Sequence, residues 1–284
     1  MKLINFLREQ EFYNMSNLVR RLNVLLIIVM AAGVAMTPAH AAAPNGARVH
    51  APSAELQLQQ ANVLWEKVHQ ATSEQGRLEA IRTTWECLTT IPDVWPDDAN
   101  AVVQSAVMRY ELAMESHSTE TAIESLLPIT DLARKTILAS EVERRLGEAY
   151  SIVGDRGNAE KHFVQSEASL NADTNVIEAS AVLRSVADFY AQQKNFAEAI
   201  KRLDRGAQLP NQNLVSQIQF RLSSAREALK LPDESRTETA TREFTALDEL
   251  IAASRSKPLS ATEATSTESF AREAGRLRER LSRE

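Results

Sequence analysis

The sequence predicts an all-α fold, a solenoid of stacked antiparallel helix pairs, and three observations carry that expectation. Ala, Leu, Glu, Arg and Gln, all strong helix formers, are abundant. Runs of β-branched or aromatic residues that would make strands are nearly absent, and aromatics amount to 5% of 284 residues, with Gly and Pro at 8 and 9. Beyond the first hundred residues Tyr110, Tyr150 and Tyr190 recur at a spacing of 40 with similar neighbours. A recurrence of that length is the mark of stacked supersecondary units.

The first segment, 1–41, reads as a secretory signal. Arg20 and Arg21 precede an apolar run from Leu22 to Met36, and Pro38 and the small-x-small triplet Ala39-His40-Ala41 follow. The run is shorter than the ~20 residues that a spanning helix needs. Cleavage is expected beside Ala41, with an uncleaved anchor as the alternative. Met15 offers a second, more compact start. Residues 42–54 are expected to be a flexible mature N-terminus.

The mature chain is acidic. The formal net charge is −6, and beyond residue 41 there remain 28 basic against 36 acidic side chains, a net −8. That balance argues against general nucleic-acid binding, which needs basic patches. Cys87 is the only cysteine, so no intrachain disulfide exists and the core must come from helix packing.

Degenerate helical units are expected over 55–139 and two clearer ones over 140–211. Around the three tyrosines fall Ala106, Leu146 and Val186, then Val107, Gly147 and Ala187. Nine residues after each Tyr stand Thr119, Ala159 and Ala199, and four further on Ile123, Phe163 and Leu203. Each unit is thus a helix ending soon after its Tyr, a tight turn, and a second helix opening near the small residue. Gly154-Asp155-Arg156-Gly157 and Gln192-Gln193-Lys194-Asn195 are the turns. Residues 212–257 form a capping helix pair broken at Leu231-Pro232, 258–267 a polar linker, and 268–284 an amphipathic helix whose apolar stripe is Phe270, Ala274, Leu277 and Leu281.

The middle unit, Leu146-Gly147-x2-Tyr150 followed by Ala159-x3-Phe163, resembles the tetratricopeptide repeat family. The next, Val186-Ala187-x2-Tyr190 then Ala199-x3-Leu203, follows the same pattern more loosely. Departures are plain: Glu143 and Leu183 stand where the family has Trp, and the closing Pro is missing or displaced. The resemblance covers roughly half the chain and implies a ligand groove lined by the first helix of each pair. Carried onto matching positions, the groove residues are Glu141, Arg144, Glu148 and Ser151, then Ala181, Arg184, Asp188 and Ala191. The preceding unit would add Gln104, Met108 and Glu111. Such a groove is polar with an acidic excess and suits a peptide or protein segment bearing basic residues.

Catalytic and metal motifs are absent from the sequence: no His-Glu-x-x-His, no Gly-rich phosphate loop, no Gly-x-Ser-x-Gly. His50, His69, His117 and His162 do not pair at helical spacing, and Cys87 reads as an inert core thiol. Neither a cofactor nor a metal is expected. The expectation is an exported, non-enzymatic scaffold for protein–protein contacts in the cell envelope, with the periplasm as its compartment. A membrane-anchored assembly platform, secretion and a helical envelope enzyme are the alternatives; membrane contact is expected only if the signal is uncleaved.

Overall fold

The computed structural model describes residues 51–171, 173–256 and 259–283. The signal segment and residues 42–50 lie outside the described residues. Among the described residues twelve α-helices follow one another: α1 (Ala54–Gln70), α2 (Glu74–Val94), α3 (Ala99–Glu115), α4 (Thr119–Leu126), α5 (Thr130–Ala133), α6 (Ala139–Ile152), α7 (Arg156–Ala168), α8 (Val176–Gln192), α9 (Phe196–Ala207), α10 (Leu214–Ala228), α11 (Asp233–Arg255) and α12 (Ala261–Leu281). No strand occurs among the described residues. Nor is any described helix long and apolar enough to cross a membrane.

The helices pack as consecutive antiparallel pairs, α1/α2, α3/α4, α6/α7, α8/α9 and α10/α11, each pair against the next, with α12 added at the end. This is a tetratricopeptide-like α-solenoid. Helix starts are set locally. Ser53, Ser73, Asp98, Asp155, Asn175, Asn195, Asn213 and Ser260 each accept a backbone N–H from the first turn of the helix they open. The turns inside three pairs share one geometry. His117, Gly154 and Lys194 take positive φ (57°, 82° and 62°), and the next residue donates its N–H five residues back, Ser118 to Ala113, Asp155 to Tyr150 and Asn195 to Tyr190, each at 2.9 Å. That closure ends a helix in the left-handed region, where Gly154 is unstrained and His117 and Lys194 are not.

This geometry corrects the repeat register. The second and third units are offset by 37 residues, the third and fourth by 40. Ala113, not Tyr110, matches Tyr150, and the fully buried Ala122 and Leu126 match Ala159 and Phe163, in place of Thr119 and Ile123. Tyr110 instead fills the slot of Gly147, so the α3/α4 unit has exchanged the large and the small residue. In the third unit, a Cβ on Gly147 would lie 2.7 Å from the Phe163 ring, so the close neighbour is Phe163 and not Ala159.

Three other expectations change. The polar stretch 258–267 is not a linker beyond Ser260: Ala261–Thr267 is the first part of α12, opened by a capping box in which Ser260 and Glu263 bond each other's backbone N–H. Residues 51–54 are not loose. Ala51 is buried and donates its N–H to Gln57 Oε1 at 3.1 Å. The α10/α11 pair does not end the stack, because α12 buries Phe270 and Ala274 against it.

Candidate functional site: the charged seam of the first helices

The first helices α3, α6, α8 and α10 are joined side to side by polar side chains. Arg145 on α6 bonds Glu111 on α3, and holds Glu141 on its own helix through Nε at 3.1 Å and Nη2 at 2.8 Å. Its guanidinium lies over the Tyr110 ring at 5.3 Å. Arg144 reaches the other way: Nη1 to Glu148 at 2.8 Å, and Nε to Glu178 on α8 at 3.3 Å. Ser185 on α8 donates back to Glu148 at 2.6 Å. Arg184 on α8 covers the Phe220 ring of α10 at 4.8 Å and donates to Gln219 at 3.2 Å.

Burial and charge oppose each other here. Burial works against Arg144, but Glu148 and Glu178 outweigh it, so its guanidinium is held still more firmly charged. Burial likewise works to raise Glu148, yet Arg144 and Ser185 bring it below the ordinary carboxylate value. For Glu178, burial wins over Arg144 and the carboxyl is raised. For Arg184, burial lowers the pKa, with Asp188 only partly opposing.

The implied groove residues therefore separate into two groups. Gln104 and Asp188 are exposed, and Glu111, Glu141, Glu148 and Ser151 are half-buried along this face. Arg144, expected to project into solvent, is only 5% exposed, and Arg184 is half-buried against Gln219 and the Phe220 ring. Both are braces between helices, because a guanidinium in mid-helix can satisfy two neighbours at once. Met108 packs half-buried against the core cluster of α1–α3. In the corrected register Glu111, Glu148 and Asp188 occupy the same position of three successive units, so one acidic column runs along α3, α6 and α8.

Two features escaped the sequence. Arg145, beside Arg144, is buried and carries the α3–α6 link; the Arg-Arg doublet flanked by Glu141 and Glu148 was its signal. On the opposite side of α6, Glu143 and His162 are 1% and 4% exposed. Glu143 Oε2 lies 2.7 Å from His162 Nδ1, and its Oε1 accepts from Arg134 at 3.1 Å. Tyr150 stacks on His162 with ring centroids 5.3 Å apart. The Trp slot of the family thus holds a carboxylate with two polar partners, which explains why Glu143 is tolerated there.

Trp65 and Trp85 pack half-buried against the core, and so does Trp95 at the end of α2. The Cys87 thiol is half-buried beside Gln57, and burial raises its pKa. Among the described residues no group of three or more His, Cys, Asp and Glu is placed to hold a metal ion.

No protein-family model matches the chain, and no curated protein matches it. Among solved structures, the crystal structure of BtubC (BKLC) from P. vanneervenii superposes with a TM-score of 0.52 at 11% identity, over 74% of this chain and 95% of that one. The crystal structure of MamA protein superposes with a TM-score of 0.46 at 14% identity, over 71% and 97%. At such identity the likeness to BtubC concerns the fold alone, and it agrees with a solenoid of helix pairs over most of the chain.

Proposed function

We propose that this chain is an exported scaffold that holds a protein or peptide segment along the groove face of its first helices. The acidic column Glu111, Glu148 and Asp188 supports this most directly. Three carboxylates at one position of three successive units make a linear array, which suits an extended segment with spaced Lys or Arg better than a compact ligand. The buried braces Arg144 and Arg145 hold Glu148 and Glu111 of that array in place from behind. Phosphate-bearing partners are disfavoured by the same acids. Binding and not catalysis is the activity proposed. The proposed location is the cell envelope, reached through the signal at 1–41.

The test uses the conservative triple variant Glu111→Gln, Glu148→Gln and Asp188→Asn, which keeps side-chain shape. Fluorescence anisotropy with a labelled Lys/Arg-rich peptide set should show binding by the natural protein that weakens with salt. The triple variant should lose that salt-dependent part while keeping its helical circular dichroism. Unchanged binding by a folded variant would rule out the acidic column. N-terminal sequencing of envelope-derived protein should find a start at Ala42 or beside it; an intact Met1 or Met15 start would favour the anchored form.

A further inference from the structure

The two ends of the described stack differ. At the C-terminal end of that stack a cleft of about 560 Å³ lies between α11 and α12. Its floor carries the apolar side chains of Ile251, Leu259, Ala264 and Ala271 beside the hydroxyl residues Ser254 and Thr267, and its rim carries Arg255 and Arg272. Arg276 stands one turn further along α12. These three arginines are exposed and make no ion pair among the described residues.

The N-terminal end has the matching chemistry. On α1, Val63 is 61% exposed and Leu56 37%. They stand seven residues apart, so they share one stripe of the helix. Glu55 and Glu66, both exposed and without an ion pair among the described residues, lie within about 100° of that stripe at 100° per residue. Exposed Lys67 borders the other side, and the cleft rim holds one exposed acid, Glu268. These aliphatic side chains of α1 stand in water.

We propose that these two ends dock on each other between copies of this chain, the α1 face of one copy entering the α11–α12 cleft of the next. Apolar side chains meet an apolar floor, Glu55 and Glu66 meet the rim arginines, and Lys67 meets Glu268. The contact is head-to-tail, so it does not close with two copies. Each bound copy presents a further free end, and the scaffold extends into a line of repeats.

Sedimentation velocity on the full chain tests this. At roughly 10–100 µM and low salt, the natural protein should form species beyond a dimer, and salt should dissociate them. Glu55→Arg with Glu66→Arg, and separately Arg272→Glu with Arg276→Glu, should each weaken association about tenfold or more. All four positions are exposed, and circular dichroism confirms that each variant is folded. Mixing the two variants pairs every reversed face with a complementary one, so association should return. A natural protein that stays monomeric overturns the proposal. So does association that survives both reversals, or that responds only to the α1 reversal, the mark of α1 packing on α1.

Discussion

The segment α6–α8 and the segment α10–α12 share an architecture and differ in what fills it. Between α6, α7 and α8 the contacts include Glu143, Arg144, His162 and Glu178, all buried. Between α10, α11 and α12 lies a continuous apolar cluster with Ile218, Leu222, Phe244, Leu247, Ile251 and Phe270 at its centre. One buried acid, Glu243, sits at its margin, bonded by Arg221 and Arg242. The difference teaches how a solenoid divides its work. An apolar interface depends on volume and tolerates any ligand chemistry nearby, whereas an ionic seam depends on each partner and shapes the field of the face beside it. The segment proposed to bind is the one built from charges.

The largest expected effect breaks the seam. Arg144→Ala leaves Glu148 and Glu178 without their guanidinium, and removing one partner of a buried pair costs about 3–5 kcal/mol. Denaturant unfolding should show that loss; less than about 1 kcal/mol would mean that the seam behaves as a solvated surface. Leu247→Ala in the apolar cluster should cost about 2–5 kcal/mol with a salt dependence no different from that of the natural protein.

Smaller changes probe the packing common to both segments. A Cβ on Gly147 would sit 2.7 Å from the Phe163 ring, and one on Gly206 would sit closer still to the Phe220 ring. Gly147→Leu and Gly206→Leu should each lower stability by about 1–3 kcal/mol, Gly206→Leu the more, through overpacking. Lys161→Leu, on the exposed face of α7, should change it by no more than about 0.5 kcal/mol. Equal melting temperatures for the Gly147 and Lys161 variants would refute the close approach of α6 and α7.

The smallest effect sharpens the ionic side. Glu148 has a lowered pKa in the folded chain, so its ionised form adds stability above the ordinary carboxylate value of about 4.3, and this is lost as pH falls through the lowered value. Glu178 has a raised pKa, so its contribution is full below that ordinary value and is lost as pH rises through the raised one. Glu148→Gln should therefore be more damaging than Glu178→Gln at pH 7. The gap should narrow steadily on acidification, as read by melting temperature from pH 7 down to about pH 3.

Much of the fold was legible because caps and small residues act locally. Gly154, Asp155 and Asn195 marked turns that the structure places where expected. The α3/α4 unit misled because Tyr110 and Ala113 exchange the large and small slots, and a tyrosine is easier to see than the alanine that replaces it. The stretch 261–267 misled for a related reason. Its polar residues carry no apolar period, while the decisive signal, Ser260 with Glu263, is a cap and not a stripe. Of the implied groove residues, the acids lie half-buried or exposed, whereas the arginines, taken for solvated charges, are buried or half-buried between helices. An arginine's position in a helix does not say whether a carboxylate waits on the next one.

By itself the sequence determined the helical class, the pairing of helices and the approximate length of each unit. Helix propensity, capping and turn residues operate over a few residues and need no distant partner. Tertiary structure alone decided the 37-residue offset, the docking of α12 and the burial of Arg144, Arg145 and Glu143. Each depends on a side chain some 9 to 34 residues away, as with Arg134, His162, Glu178 and Glu111. A buried charge is stable only when such a partner arrives, and that arrival is a property of the stacked helices and not of any one of them.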